Sequence, residues 1–173
     1  MLALDSNRWA TLHHCDGDGR DVPSMLKRIA NAKQDSDFQT ALDDLMSVLW
    51  HQCDYCSAAT ASAPHLGSLA SKLEDDSQRS HMVASIALIE IARQQYIRNQ
   101  TRFGNGGNDD VTPSDLAPAY HEAISSIAQL VSLTDTKLLS DGDRQRYDGS
   151  MLVATGDWES GWDMIANADK AVG

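Results

Sequence analysis

From residue 37 to 49 the chain reads DFQTALDDLMSVL, and Phe38, Ala41, Leu42, Leu45, Met46, Val48 and Leu49 recur at the spacing of one helix face. Ser36, with Gln39 three residues on, predicts a capping box at the start of that helix. A polar corner over 51–55 separates it from a second run, where Ala59, Ala63, Leu66, Ala70 and Leu73 step by four, three, four and three. Small residues alternating with leucine predict two closely packed helices. Pro64 is expected to kink the second or split off its first turn.

The same pattern extends in both directions. A helix over about residues 7 to 14 is expected to carry Trp9, Leu12 and Cys15 inward, and DGDGRD at 16–21 reads as a turn. Asp21 then caps a helix with Pro23 in its first turn and Met25, Leu26 and Ile29 as its apolar face. Ser77 is expected to cap the longest segment, 77–99. Its Met82, Val83, Ile86, Ala87, Leu88, Ile89 and Ile91 cover more than one stripe, which predicts a central helix buried on two sides. The run TRFGNGGNDDVTP at 101–113 has turn formers and no periodicity, so a flexible loop is predicted there. Ser114 is expected to cap a helix with Leu116, Tyr120, Ile124, Ile127 and Val131 on one face, and a weaker helix after Asp141 turns Tyr147, Met151 and Leu152 inward. Gly156 reads as a stop, and Asp157 as the cap of a last helix bearing Trp158, Trp162, Ile165 and Ala166. About eight helices and no strand emerge: an all-α chain.

No strict repeat period is visible. Even so, Trp9-x-x-Leu12-His13, Asp21-Val22-Pro23-x-x-Leu26, Leu49-Trp50-His51-Gln52 and Ala58-x-Thr60-Ala61-x-Ala63-Pro64-x-Leu66 follow one another in a recognisable order. In that order the chain resembles bacterial HEAT-like repeat proteins, mainly over residues 7–73. The resemblance implies an α-α superhelix of about four stacked antiparallel hairpins forming one domain over 1–173, and it brings no catalytic residue.

Composition narrows the function. A chain of 173 residues is most economically one domain. Residues 1–16 lack the basic start and apolar core of a secretory signal, and three cysteines cannot all pair, so a cytoplasmic protein is expected. The longest apolar stretch, 82–92, is too short to span a bilayer and carries Glu90. With 25 acidic against 14 basic residues the net charge is −11, which argues against nucleic acid and anionic membranes as partners. Such a charge suits a basic protein partner, because long-range attraction speeds encounter. Solubility alone is the simpler explanation of acidity.

The motifs with chemical potential are weak. Cys53-x-x-Cys56 beside His51 suggests zinc, but a fourth ligand would have to come from His13, His14, Cys15 or His65, so packing at a corner is preferred and no metal or cofactor is expected. DGDGRD fails as a calcium loop, with Arg20 at the fifth position and Lys27 at the twelfth. Gly104 to Gly107 lacks the Lys-Ser/Thr of a phosphate cradle. An enzyme is not expected. What remains are acidic groups at helix ends: Glu74, Asp75 and Asp76; Asp109 and Asp110; Asp141 and Asp143; and Asp157, Glu159 and Asp163 around Trp158 and Trp162. Capping and solvation explain part of them, whereas aromatic residues framed by charge match interface hot spots. Apart from Asp141 and Asp143, these residues, ten with the two tryptophans, are the expected partner-binding set. The expected function is that of an immunity protein occluding a basic, nuclease-type toxin domain. The alternative is a HEAT-like adaptor that binds a protein or peptide in its groove.

Overall fold

A computed structural model describes residues 1–50, 55–103, 112–135 and 139–168. A 3-10 turn at Asn7–Thr11 leads into a small antiparallel hairpin, β1 (His13–His14) and β2 (Gly17–Asp18), with His13 opposite Asp18. Eight α-helices follow among the described residues: α1 (Val22–Asn31), α2 (Asp35–Leu49), α3 (Ser57–Ala70), α4 (Asp76–Phe103), α5 (Ala117–Ser125), α6 (Ile127–Ser132), α7 (Asp141–Ala154) and α8 (Trp158–Ala168). The chain is predominantly helical, as its periodicity predicts.

The hairpin corrects the expectation of a helix over 7–14 and of no strand. Leu12 is extended (φ −89°, ψ 155°), and its carbonyl accepts the Gly19 N–H at 2.9 Å, which closes the hairpin base. Glycine is needed at 19 because a Cβ there would lie 3.0 Å from the Trp9 carbonyl oxygen. Trp9 and Leu12 are buried as expected, whereas Cys15 is an exposed free thiol.

Helix starts differ from expectation wherever a side chain finds a better partner. Asp21 precedes α1 in αR geometry without capping it; its carboxylate accepts instead from His14 Nε2 at 3.1 Å. The α2 helix begins at Asp35, one residue before the expected cap, and acidic Asp35 and Asp37 occupy its positive end. Asp75, not Ser77, caps α4 by accepting the Gln78 N–H at 2.7 Å, and Ser77 donates to Asp143 at 3.1 Å. Leu116 rather than Ser114 precedes α5, and the helix expected to run through Val131 breaks at Ser126, where Ser126 Oγ donates back to the Ala123 carbonyl at 2.7 Å. Pro64 does not split α3, which runs unbroken through it. Ser140 caps α7 through the Asp143 N–H, and Asp157 caps α8 through the Ser160 N–H at 3.2 Å, with Gly156 left-handed at φ 97°.

With 28 residues, α4 spans about 42 Å and packs against α2, α3, α5, α6, α7 and α8. Met82, Val83, Ile86, Ala87, Ile89 and Ile91 are completely buried, so the wide apolar surface is filled from several sides. One core cluster joins residues from Trp9 to Ile165. Two contacts pin the amino-terminal segment to it: Trp9 Nε1 donates to the Ala3 carbonyl at 2.9 Å, and His65 Nε2 to that of Leu2 at 2.8 Å. Burial pushes His65 below its ordinary pKa, which keeps the ring neutral.

The α7 and α8 helices form the tightest pair. A Cβ on Gly149 would lie 2.8 Å from the Gly161 carbonyl oxygen and 2.8 Å from Ile165, and one on Gly161 would lie 2.6 Å from Val153. Gly149 thus faces Ile165 while Val153 faces Gly161, so the two helices run antiparallel with backbones touching.

Candidate partner-binding surface

The carboxyl-terminal tryptophans lie one helical turn apart on α8 and are both half-buried against the core. Trp162 packs on Trp50, from the end of α2, with ring centroids 5.4 Å apart and planes tilted by 41°. Trp158 is covered by the Arg98 guanidinium of α4, 4.9 Å from the ring centroid, and Arg98 also pairs with the Glu159 carboxylate. Asp157, Glu159 and Asp163 are exposed beside this aromatic row. The first two turns of α8 therefore present half-buried aromatic area with a carboxylate rim, placed by a glycine-tight contact with α7.

The expected partner-binding residues do not form one site. Asp157, Trp158, Glu159, Trp162 and Asp163 share the start of α8. Glu74, Asp75 and Asp76 lie at the opposite end of α4 from Arg98, about 33 Å away along the helix. There Asp75 is the helix cap and Asp76 pairs with the buried Arg79. Asp109 and Asp110 lie outside the described residues, as do most of the expected 101–113 loop and the His51 and Cys53 of the corner. Residues 101–103 belong to α4, and Thr112 is buried. Cys56 is half-buried, and its Sγ donates to the Leu49 carbonyl at 3.5 Å. Among the described residues no group of three or more His, Cys, Asp or Glu is placed to hold a metal ion, and no helix is long and apolar enough to cross a membrane.

Sequence reasoning missed three acid–arginine pairs at i,i+3: Glu90–Arg93 and Asp143–Arg146, both buried, and Asp76–Arg79, in which the arginine is buried and the acid partly exposed. Glu90 Oε2 accepts from Arg93 Nε at 2.8 Å and Tyr120 Oη at 2.5 Å, and its Oε1 accepts from Arg93 at 2.8 Å and Gln94 at 2.6 Å. Burial pushes the Glu90 carboxyl up, but the hydrogen bonds from Arg93 and Tyr120, the Arg93 charge and the Gln94 bond outweigh it. The net position is below the ordinary value of 4.5. Tyr120 goes well above its ordinary value, through burial and the adjacent Glu90 charge. Asp143 accepts from Ser77, Ser80, Ser140 and Arg146, and these bonds likewise hold it low against its burial. Carboxylates with every oxygen engaged hold elements together; they are not free to move protons. Arg98 and Trp50 were also missed as members of the α8 surface.

Comparison with protein-family models, curated proteins and solved structures returned no match to this chain.

Proposed function

We propose that this chain is an immunity-type protein: a HEAT-like stack of about four helical hairpins that binds and occludes a basic toxin domain. The acid-rimmed tryptophan row at the start of α8 carries the reading. Half-buried aromatic area ringed by charge is the composition of an interface centre and its rim. Its sign suits a cationic partner.

The distribution of charge supports the same view. Arg8, Arg28, Arg79, Arg93, Arg98 and Arg146 each lie within 4.0 Å of a carboxylate, so much of the cationic charge is spent inside the molecule. The net charge of −11 is then displayed by acids such as Asp157 and Asp163. Carboxylates approaching a nuclease's phosphate-binding groove would block it by mimicking nucleic acid. Binding, not catalysis, is the proposed activity, in the cytoplasm, without cofactor or metal.

One observation favours the adaptor alternative. The exposed Met1 and Leu133, 66% and 52% accessible, line a single hollow of about 300 Å³ between α3 and the α5–α6 pair. Leu133→Glu separates the readings, because it damages that hollow and leaves α8 intact. The deciding experiment co-expresses the chain with the product of the gene directly upstream of its own. A stable equimolar complex that relieves toxicity supports the immunity reading. A non-toxic neighbour, or a complex weakened by Leu133→Glu and not by changes on α8, supports the adaptor.

A further inference from the structure

We infer that the Trp158 face and the Glu159 carboxylate form a guanidinium-binding site which Arg98 fills in the free protein, and that an arginine of the partner displaces it on binding. The inference rests on the proposed toxin-binding reading and names the chemistry the partner must present. A guanidinium is planar and delocalised: its face stacks on an indole while its edge donates to a carboxylate. Arg98 does both at once, lying 4.9 Å from the Trp158 centroid and pairing with Glu159. The Arg98 and Glu159 side chains are 57% and 66% exposed, so the internal pair is screened by water and readily exchanged.

The surroundings favour exchange over addition. Beside the pair, Gln94, Ile97, Thr101 and Arg102 line an open hollow of about 380 Å³ with Arg98 and Trp158. That space gives Arg98 room to swing away from the indole. Asp157 and Asp163 flank the incoming charge from α8. Arg98 therefore acts as a placeholder that keeps the indole covered until a competing arginine arrives.

The test uses the full chain and the peptide acetyl-Arg-Arg-Arg-amide as probe, at low ionic strength, following the tryptophan indole N–H resonances by NMR. The Trp158 resonance should move selectively and the shift should be larger than with tri-lysine amide. Arg98→Gln should tighten binding about three- to fivefold by removing the internal competitor. Glu159→Gln should weaken it, and Trp158→Leu should abolish the preference for the arginine over the lysine peptide, read in the backbone amide resonances at the start of α8. If Trp158→Leu melts early, Glu159→Gln carries that arm alone. An unmoved Trp158 resonance, uniform shifts of all the indoles, or weaker binding by Arg98→Gln would overturn the inference. Peptide binding without a toxic partner would leave this site standing and remove the immunity reading. A toxin complex indifferent to Arg98→Gln would do the reverse.

Discussion

Glu90 is the residue on which the interior depends most. It sits 6% exposed in the middle of the long central helix α4, tolerated because Arg93, Gln94 and Tyr120 saturate both its oxygens. Tyr120→Phe should cost about 1–3 kcal/mol in urea unfolding, since it leaves a buried charged acceptor short of one donor. Glu90→Gln should cost about 1–3 kcal/mol near neutrality, because it weakens the buried carboxylate to which Arg93, Gln94 and Tyr120 all donate. The pH dependence has a definite sign. The folded pKa of Glu90 lies below its ordinary 4.5, so its contribution is fully present above that value and is lost as pH falls through the folded pKa. Unfolding free energy should therefore drop on acidification below about pH 4.5, and less steeply in Glu90→Gln. Equal slopes in both proteins would show that the pair is not linked to folding. This network was partly legible: a Glu inside an apolar run with Arg at i+3 is a readable signal. Tyr120, thirty positions away, is not, because nothing local marks it as the partner.

At the level of elements, periodicity and caps differ in how far they can be read. The apolar faces of α1, α2 and α4 were legible because burial selects whole stripes, and Leu26, Ile29, Leu45, Leu49, Ile86 and Ile89 are all buried as expected. Several caps were not, because a polar side chain at a helix start chooses between its own backbone and a distant group: Ser77 is claimed by Asp143, and Asp21 by His14. Asp75→Ala should lower stability by about 1 kcal/mol as the true cap of α4, while Ser114→Ala should be nearly silent. The α7–α8 contact was only partly legible: Tyr147 and Ile165 are buried as expected, but the close approach is made at Gly149, Val153 and Gly161, which form no apolar stripe that periodicity could find. Gly149→Ala should destabilise by about 1–3 kcal/mol, because its Cβ meets the Gly161 carbonyl at 2.8 Å and helix backbones yield poorly. Thermal melts of Gly149→Ala beside Gly156→Ala separate crowding from strain: the first has no space, and the second has space but a left-handed φ of 97°.

For the whole molecule, the net charge of −11 and the tryptophan row at α8 are the two features from which the proposed activity follows. The described acidic groups of the predicted set are divided between the two ends of α4, and those at 74–76 serve the fold through Asp75 and Asp76. The proposed binding is therefore put at the α8 end, where Trp158→Ala should speed dissociation from the partner by roughly 2 kcal/mol or more, with the loss read in the off-rate. Rim charges act differently, steering encounter and leaving the bound state almost unchanged. The most direct measurement is the association rate of the proposed toxin partner with wild type and with Glu159→Lys/Asp163→Lys, across ionic strength, after melting curves show both folds intact. This double reversal spares the Asp157 cap. The account predicts association slowed roughly three- to tenfold at low salt, a flatter dependence on ionic strength, and an off-rate little altered. Association that is untouched at low salt would contradict it.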